Sequence, residues 1–151
     1  MQKRKNKSVS ERDLYYVAVK VFLEHKGKLF IFKDRYGDWD LPGGRIQKHE
    51  FRASFDQVIK RKMAEELGNS VQYKLGKPIV FMRHQRLERS SNSMVKIFAV
   101  GYRAAFLGGT IKLSGMHTES LWVPVRSFNP RPYFEGGWLT GVQEYLKLRR
   151  R

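Results

Sequence analysis

Leu41-Pro42-Gly43-Gly44-Arg45 leads to a lone carboxylate, Glu50, and then to Arg61-Lys62-Met63-Ala64-Glu65-Glu66-Leu67-Gly68. This is a glycine turn, an isolated acid, and a run ending in paired acids. Gly43 and Gly44 carry no side chain, so backbone there approaches a phosphate or a metal closely. Pro42 stiffens the entry, and a carbonyl of the turn is a hard oxygen donor. Magnesium takes one or two carboxylates together with substrate phosphates, and Glu65 and Glu66 offer such carboxylates. Arg61 stands four residues before Glu65, where a helix pairs them on one face. Arg45 follows the glycines directly and is placed to reach a phosphate or sugar. A Pro-Gly-Gly turn alone is usually only a turn. A Glu-Glu pair near a helix end is usually a solvated face, mildly opposed by the helix dipole. Their order and spacing together point to a site that holds a divalent metal against a diphosphate.

Working outward, Ser54 reads as a helix N-cap, with Gln57 completing a capping box. Phe55, Val58, Ile59, Met63 and Leu67 recur at helical spacing, and Gly68 stops the helix. This predicts a helix over 55–67, with Lys60, Arg61, Glu65 and part of Glu66 on its polar side. Upstream, Tyr15, Val17, Val19 and Val21 alternate with Tyr16, Ala18 and Lys20, a strand period. His25-Lys26-Gly27 turns the chain into a second strand at Leu29–Phe32. Downstream, 71–73 and 79–82 read as strand pieces and 94–106 as a long strand, joined by the polar loop 89–93. Ile111 and Leu113 begin a short strand after Gly108-Gly109. Leu121–Val125 is a further strand, an edge one because of Pro124. Trp138–Arg149 reads as a helix burying Trp138, Val142, Tyr145 and Leu146. The sum is an α+β chain with a mixed β-sheet flanked by helices. Residues 1–12 read as a basic flexible arm, and 13–151 as a single domain.

The 151 residues are 41% hydrophobic, enough to bury a core. No apolar run approaches the roughly 20 residues needed to cross a bilayer, and the basic N-terminus lacks a signal peptide's apolar segment. There is no cysteine, which excludes disulfides, zinc thiolates and thiol catalysis. An intracellular, cytoplasmic protein with no membrane partner is the expectation. Thirty Lys and Arg against fourteen Asp and Glu leave a net charge of +16, a field that attracts polyanions such as nucleotides and RNA.

The glycine turn and helix together resemble the Nudix box, G-x5-E-x7-R-E-U-x-E-E-x-G-U, where U is a bulky apolar residue. Gly44 and Glu50 match its first half; Arg61, Met63, Glu65, Glu66 and Gly68 match its second. Asp38–Gly44 resembles the family's lead-in, and Leu113–Val123 the segment after its long hairpin. The resemblance implies a Nudix-type α/β/α sandwich over most of 14–148. It implies a hydrolase that uses Mg2+, or Mn2+, on a nucleoside diphosphate linked to another group, such as a nucleotide sugar. On that pattern Glu65, Glu66, Glu50 and the Gly44 carbonyl serve the metal. Gly43, Gly44, Arg45 and Arg83 serve the substrate, and Arg61 orients the carboxylates.

Departures from the pattern are visible. Ten residues, not seven, separate Glu50 from Arg61. The surplus falls at Phe51-Arg52-Ala53, before the Ser54 cap. Lys62 stands where the family has a Glu, and Asn69 replaces an apolar residue. Met116 occupies the place of a distal catalytic Glu, with His117 beside it. In the divergent GDP-mannose mannosyl hydrolases a loop His in that place acts as base. Those relatives also lack the Glu replaced here by Lys62, and their glycine turn resembles Gly43–Lys48. His117 and Glu119 are therefore the candidates for deprotonating water, and an imidazole has a suitable ordinary pKa. Arg83, His84, Arg86 and Arg89 form a basic run suited to the outer part of a nucleotide or an RNA end. Trp39, Phe81, Tyr102 and Trp122 read as core aromatics, with stacking on a base as the alternative. The alternative function is a catalytically degenerate Nudix domain that binds nucleotide or RNA through its basic surface. A homodimer is compatible with either reading.

Overall fold

The computed structural model describes residues 11–151; the basic arm expected over 1–12 lies outside them except for Glu11 and Arg12. Two strands open the fold, β1 (Tyr16–His25) and β2 (Lys28–Asp34), joined by Lys26-Gly27, both with positive φ. The short strands β3 (Trp39–Asp40) and β4 (Gly43–Arg45) follow, then a 3-10 turn at Lys48–Glu50. Helix α1 spans Phe55–Leu67. The long strands β5 (Gln72–Glu88) and β6 (Ser93–Gly108) form a hairpin, followed by β7 (His117–Pro124) and α2 (Gly136–Arg149).

One mixed sheet contains all seven strands, in the order β3-β2-β1-β6-β5 with β4 on β1 and β7 on β2. β1 runs parallel to β6 over Tyr16–Glu24 and antiparallel to its other neighbours. It pairs with β2 only beside the turn, and β4 takes the vacated edge at Ala18–Lys20. This gap seats the glycine turn against the middle of the sheet.

Side-chain alternation gives the sheet two buried faces. Val19, Val21, Leu23, Phe30 and Phe32 pack with Val58, Ile59, Met63 and Leu67 of α1. Ala18, Phe22, Leu29, Ile31, Met82 and Ala99 pack with Val142, Tyr145 and Leu146 of α2. Each fully buried aliphatic contributes roughly 1.5–3 kcal/mol over its exposed state. The architecture is the expected α/β/α sandwich. α1 has the expected limits, and the Ser54–Gln57 capping box forms in both directions. The residues beyond the family's Glu–Arg spacing lie in the turn at 51–53 ahead of that cap.

Some expectations are corrected. The pieces at 71–73 and 79–82 are one strand, β5, whose register shifts around Gly76-Lys77-Pro78. Ile111 and Leu113 do not start a strand. Lys112 N–H donates to the Leu67 carbonyl at 2.9 Å and Ser114 N–H to the Glu66 carbonyl at 3.3 Å. The segment thus satisfies the carbonyls that end α1.

α2 is tied to β1 by a buried charge. The Glu24 carboxylate accepts from the Tyr145 hydroxyl and from Arg149 Nε at 2.8 Å, and Tyr145 stacks on Phe22 at 4.0 Å. Burial alone would raise the Glu24 carboxyl, but Arg149 and Tyr145 outweigh it and hold it below its ordinary value. Its contribution is therefore present above the unfolded carboxylate pKa and lost as pH falls through the folded one. Glu24→Ala should cost about 3 kcal/mol in urea unfolding at pH 7, because Tyr145 and Arg149 lose a buried partner. A loss below about 1 kcal/mol would show that α2 is held by apolar packing alone.

Candidate active site

Gly43 has φ 138°, and a Cβ there would run into the Val19 carbonyl oxygen. Only glycine fits, and this close approach aims the Gly43 N–H at α1. It donates to Glu66 Oε1 at 2.8 Å. Glu66 is thus drawn into the interior, 8% exposed, rather than lying partly on the polar side of α1 as its position in the helical period suggested. Its other oxygen lies 3.4 Å from His117 Nε2. His117 stacks on Phe32 with 3.9 Å between centroids, and its Nδ1 is 3.1 Å from Ser114 Oγ. Helix α1, the glycine turn and the start of β7 converge here.

Burial pushes the Glu66 carboxyl up to about 7, against the Gly43 N–H and the ammonium groups of Lys20 and Lys62. Burial also lowers His117. The two therefore meet as a neutral imidazole and a carboxyl that titrates near neutrality, not as a fixed ion pair.

The other acids of the box are engaged by cations. Arg61 Nε donates to Glu50 Oε2 and its terminal nitrogen to Oε1, each at 2.7 Å, while Gln47 N–H also bonds Oε1 at 3.0 Å. These contacts, Arg61 foremost, hold the Glu50 carboxyl down at about 2. Glu50 therefore clamps the 3-10 turn to α1 through Arg61. Arg61 also bonds Glu65 at 3.1 Å, and Lys62 Nζ reaches Glu65 at 3.3 Å. The Lys62 stem covers Gly44: a Cβ on Gly44 would come within 2.6 Å of Lys62 Cε. Glu65 is half exposed, with 51% of its side chain open to solvent.

The remaining candidates are scattered around this centre. Arg45 forms a two-pronged pair with Glu88 at 3.1 and 2.8 Å and covers the Tyr16 ring at 4.5 Å. Glu119 pairs with Lys33 at 3.1 Å. A register irregularity at Lys33/Asp34 separates it from His117, and no polar contact joins Glu119 to Glu66 among the described residues. A groove of about 1010 Å3 opens beside β3, with Tyr36, Trp39, His84, Arg86, Tyr133 and Trp138 among its walls; the glycine turn, Glu66 and His117 do not line it. His84 stacks on Trp138 at 4.6 Å and accepts from Gly137 N–H. Burial lowers it to about 4, so it is neutral. Arg83, its neighbour, leaves the other face of β5 and does not line the groove.

Lys20 and Asp40 lie near enough to Glu66 for their charges to act on it, and neither stood out in the sequence as a candidate. Lys20 is 6% exposed, donates to Asp40 at 2.8 Å and faces the Trp138 ring at 5.1 Å. A lysine inside the apolar run Val17–Leu23 was the available signal. Ser114 was likewise passed over.

No family model matches the sequence, nor does any curated protein. Solved structures do match in fold. A MutT protein from Methanosarcina mazei superposes with TM-score 0.72 at 19% identity, over 93% of this chain and 99% of that one. A MutT Nudix hydrolase from Burkholderia pseudomallei gives 0.63 at 17%, over 87% and 98%. An ADP-ribose pyrophosphatase from Streptococcus suis gives 0.63 at 15%, over 91% and 94%. The chain has the fold of the Nudix hydrolases, from end to end of two of these structures' own lengths within a few per cent.

A group whose folded pKa is raised stabilises the fold below its unfolded pKa and loses that contribution as pH rises through the folded value. Glu66 is such a group. Glu66→Gln keeps an acceptor for Gly43, so it should stabilise the protein by on the order of 3 kcal/mol at pH 8 and by little below pH 4.5. Thermal melts across pH check this; equal melting temperatures at pH 8 would contradict it. Glu50 has the opposite sign. Its contribution is present above about 4.5 and lost towards about 2, so Glu50→Gln should flatten the acid limb of the same curve.

Proposed function

We propose that this chain is a Mg2+-dependent hydrolase that cleaves the linkage joining a nucleoside diphosphate to its second group. The observation that carries the reading is Glu66: a buried carboxylate, bonded to the glycine turn, within 3.4 Å of a buried imidazole. Such an acid disfavours the fold at neutral pH and is characteristic of functional sites. The ADP-ribose pyrophosphatase of the same fold supports the substrate class.

The donor set fits a magnesium ion. Among the described residues no three His, Asp or Glu side chains converge as a cage, but Mg2+ asks for only one or two carboxylates and fills its shell from water and phosphate. Glu66 and Glu65 would supply the carboxylates and Gly44 its carbonyl. A cation beside Glu66 also relieves the cost of its burial. When bound, the ion offsets phosphate charge and lowers the pKa of water.

The chain's own residues divide the remaining work. Arg61 fixes Glu65 and, through Glu50, the turn, so Arg61 and Glu50 are positioning residues. In the tautomer whose Nδ1–H donates to Ser114 Oγ, His117 Nε2 is left as the acceptor for a water proton. Its lowered pKa keeps that nitrogen free at pH 7. Lys62, over Gly44, adds positive charge where a diphosphate would lie. The aromatic groove, with Arg86, would take the nucleoside. Arg45, already paired with Glu88, holds β4 to the end of β5. Glu119, paired with Lys33, stands aside.

The second reading, a fold that binds nucleotide without hydrolysing it, draws on Lys62, whose ammonium already neutralises Glu65. One panel separates the two. Nucleotide sugars, ADP-ribose and dinucleoside polyphosphates are incubated with Mg2+, and products are resolved by chromatography. Turnover is expected with at least one, falling about 10³-fold in Glu66→Gln and about 10²-fold in His117→Ala. Folded protein with no turnover on any substrate would reject the hydrolase. Unchanged rates in Glu66→Gln would reject the site.

A further inference from the structure

One strip of the sheet is left uncovered by either helix. On the face that carries α1, the helix covers Val19, Val21, Leu23, Val100 and Tyr102. The same face continues past it through Val17 on β1, Phe98 and Lys96 on β6, and Phe81, Arg83 and Gln85 on β5. Strand register fixes this grouping: Val17 pairs with Phe98, Phe98 with Arg83, and Lys96 with Gln85. Phe81 is 63% exposed. It was expected in the core, and alternation does place it on an inward-type position, but α1 does not reach it. Its ring lies against Phe98 at 6.1 Å between centroids, with 27° between planes. Tyr15, just ahead of β1 at the open end of the strip, is 38% exposed.

We propose that this strip binds single-stranded nucleic acid, the bases stacking on Phe81, Phe98 and Tyr15 while Arg83 meets the phosphates. Strands lie about 4.8 Å apart, so β5 and β6 present Phe81, Arg83 and Phe98 side by side, with Lys96 beyond them paired to Asp13 at 2.6 Å. Phe81 and Tyr15 are exposed, and Phe98 is half-buried at the margin of the α1 core with one side of the strip open; such rings are the stacking platform that single strands use, because every base has a π face. No carboxylate pairs with Arg83 among the described residues. Charge decides the occupant. The chain carries +16, so a second copy would be repelled, whereas a polyanion is attracted. The strip lies on the opposite face of β5 from His84 and the groove, and it does not depend on the hydrolase reading.

The test titrates the full chain into a fluorescein-labelled oligouridine of about 12 nucleotides, read by anisotropy. Binding should weaken as salt rises from about 50 to about 200 mM. Phe81→Ala should weaken it about tenfold while leaving hydrolysis of small substrates unchanged. Arg83→Ala should reduce the slope of log affinity against log salt by about one. Three results would overturn the proposal: no binding by the wild type, wild-type binding by Phe81→Ala, or self-association of the chain that Phe81→Ala abolishes. Phe81 is exposed enough that its truncation leaves the core intact, so the variant reports on the strip and not on folding.

Discussion

The contact between the Gly43 backbone and Glu66 is the constraint around which this fold is arranged. A strand edge with no side chain lies so close to β1 that only glycine is admitted. The same N–H that this exposes binds a carboxylate from α1. Sheet, turn and helix are thus joined at a buried polar atom pair, with the Arg61–Glu50 clamp beside it. A buried hydrogen bond to a charged group is stronger than a neutral one, but the carboxylate it holds is costly to ionise. The fold carries a destabilising group at its centre, and the apolar packing of Val58, Ile59, Met63 and Leu67 offsets it.

Around that centre the charges are arranged in matched pairs despite the excess of positive residues. Arg61 meets Glu50, Lys20 meets Asp40, Arg45 meets Glu88, and Arg149 meets Glu24. Most acids of the interior are thereby committed to structure, which leaves Glu66, facing a neutral imidazole, as the unusual one. Among the described residues, cations without a carboxylate partner, such as Arg83 and Arg86, lie on strand faces, where solvent screens them.

What the sequence made legible follows from which signals are local. α1 was readable to the residue because a capping box, a 3.6-residue period and a terminal glycine all act within one segment. The long hairpin and α2 were readable for similar reasons. Ile111 and Leu113 alternate as a strand would, yet their neighbours' N–H groups serve α1 carbonyls, a tertiary choice that alternation does not encode. Glu66 falls at the border of the helical stripe, and only the fold of the turn onto β1 decides that it is buried. Phe81 has a core residue's spacing but lacks a cover, because cover depends on how far a helix from elsewhere extends. His117 and Glu119 stand two residues apart, and an irregularity in β2–β7 pairing gives them different surroundings. The turn, Glu65 and Glu66 were thus visible as a set and Lys20 only as a charge inside an apolar run, while Asp40 and Ser114 became visible only in three dimensions.

The segment that ends α1 has a mechanical side. Lys112 and Ser114 cap the carbonyls of Leu67 and Glu66, and the Ser114 carbonyl in turn receives the His117 N–H at 3.0 Å. The acid and the imidazole are therefore linked by two short backbone steps as well as by their side chains. A motion that swung the His117 loop outward would have to uncap the helix bearing Glu66. Opening of this site is accordingly coupled to fraying of the last turn of α1. The acid and the imidazole thus share one backbone support, and a change at either end of the 112–117 segment is felt at the other.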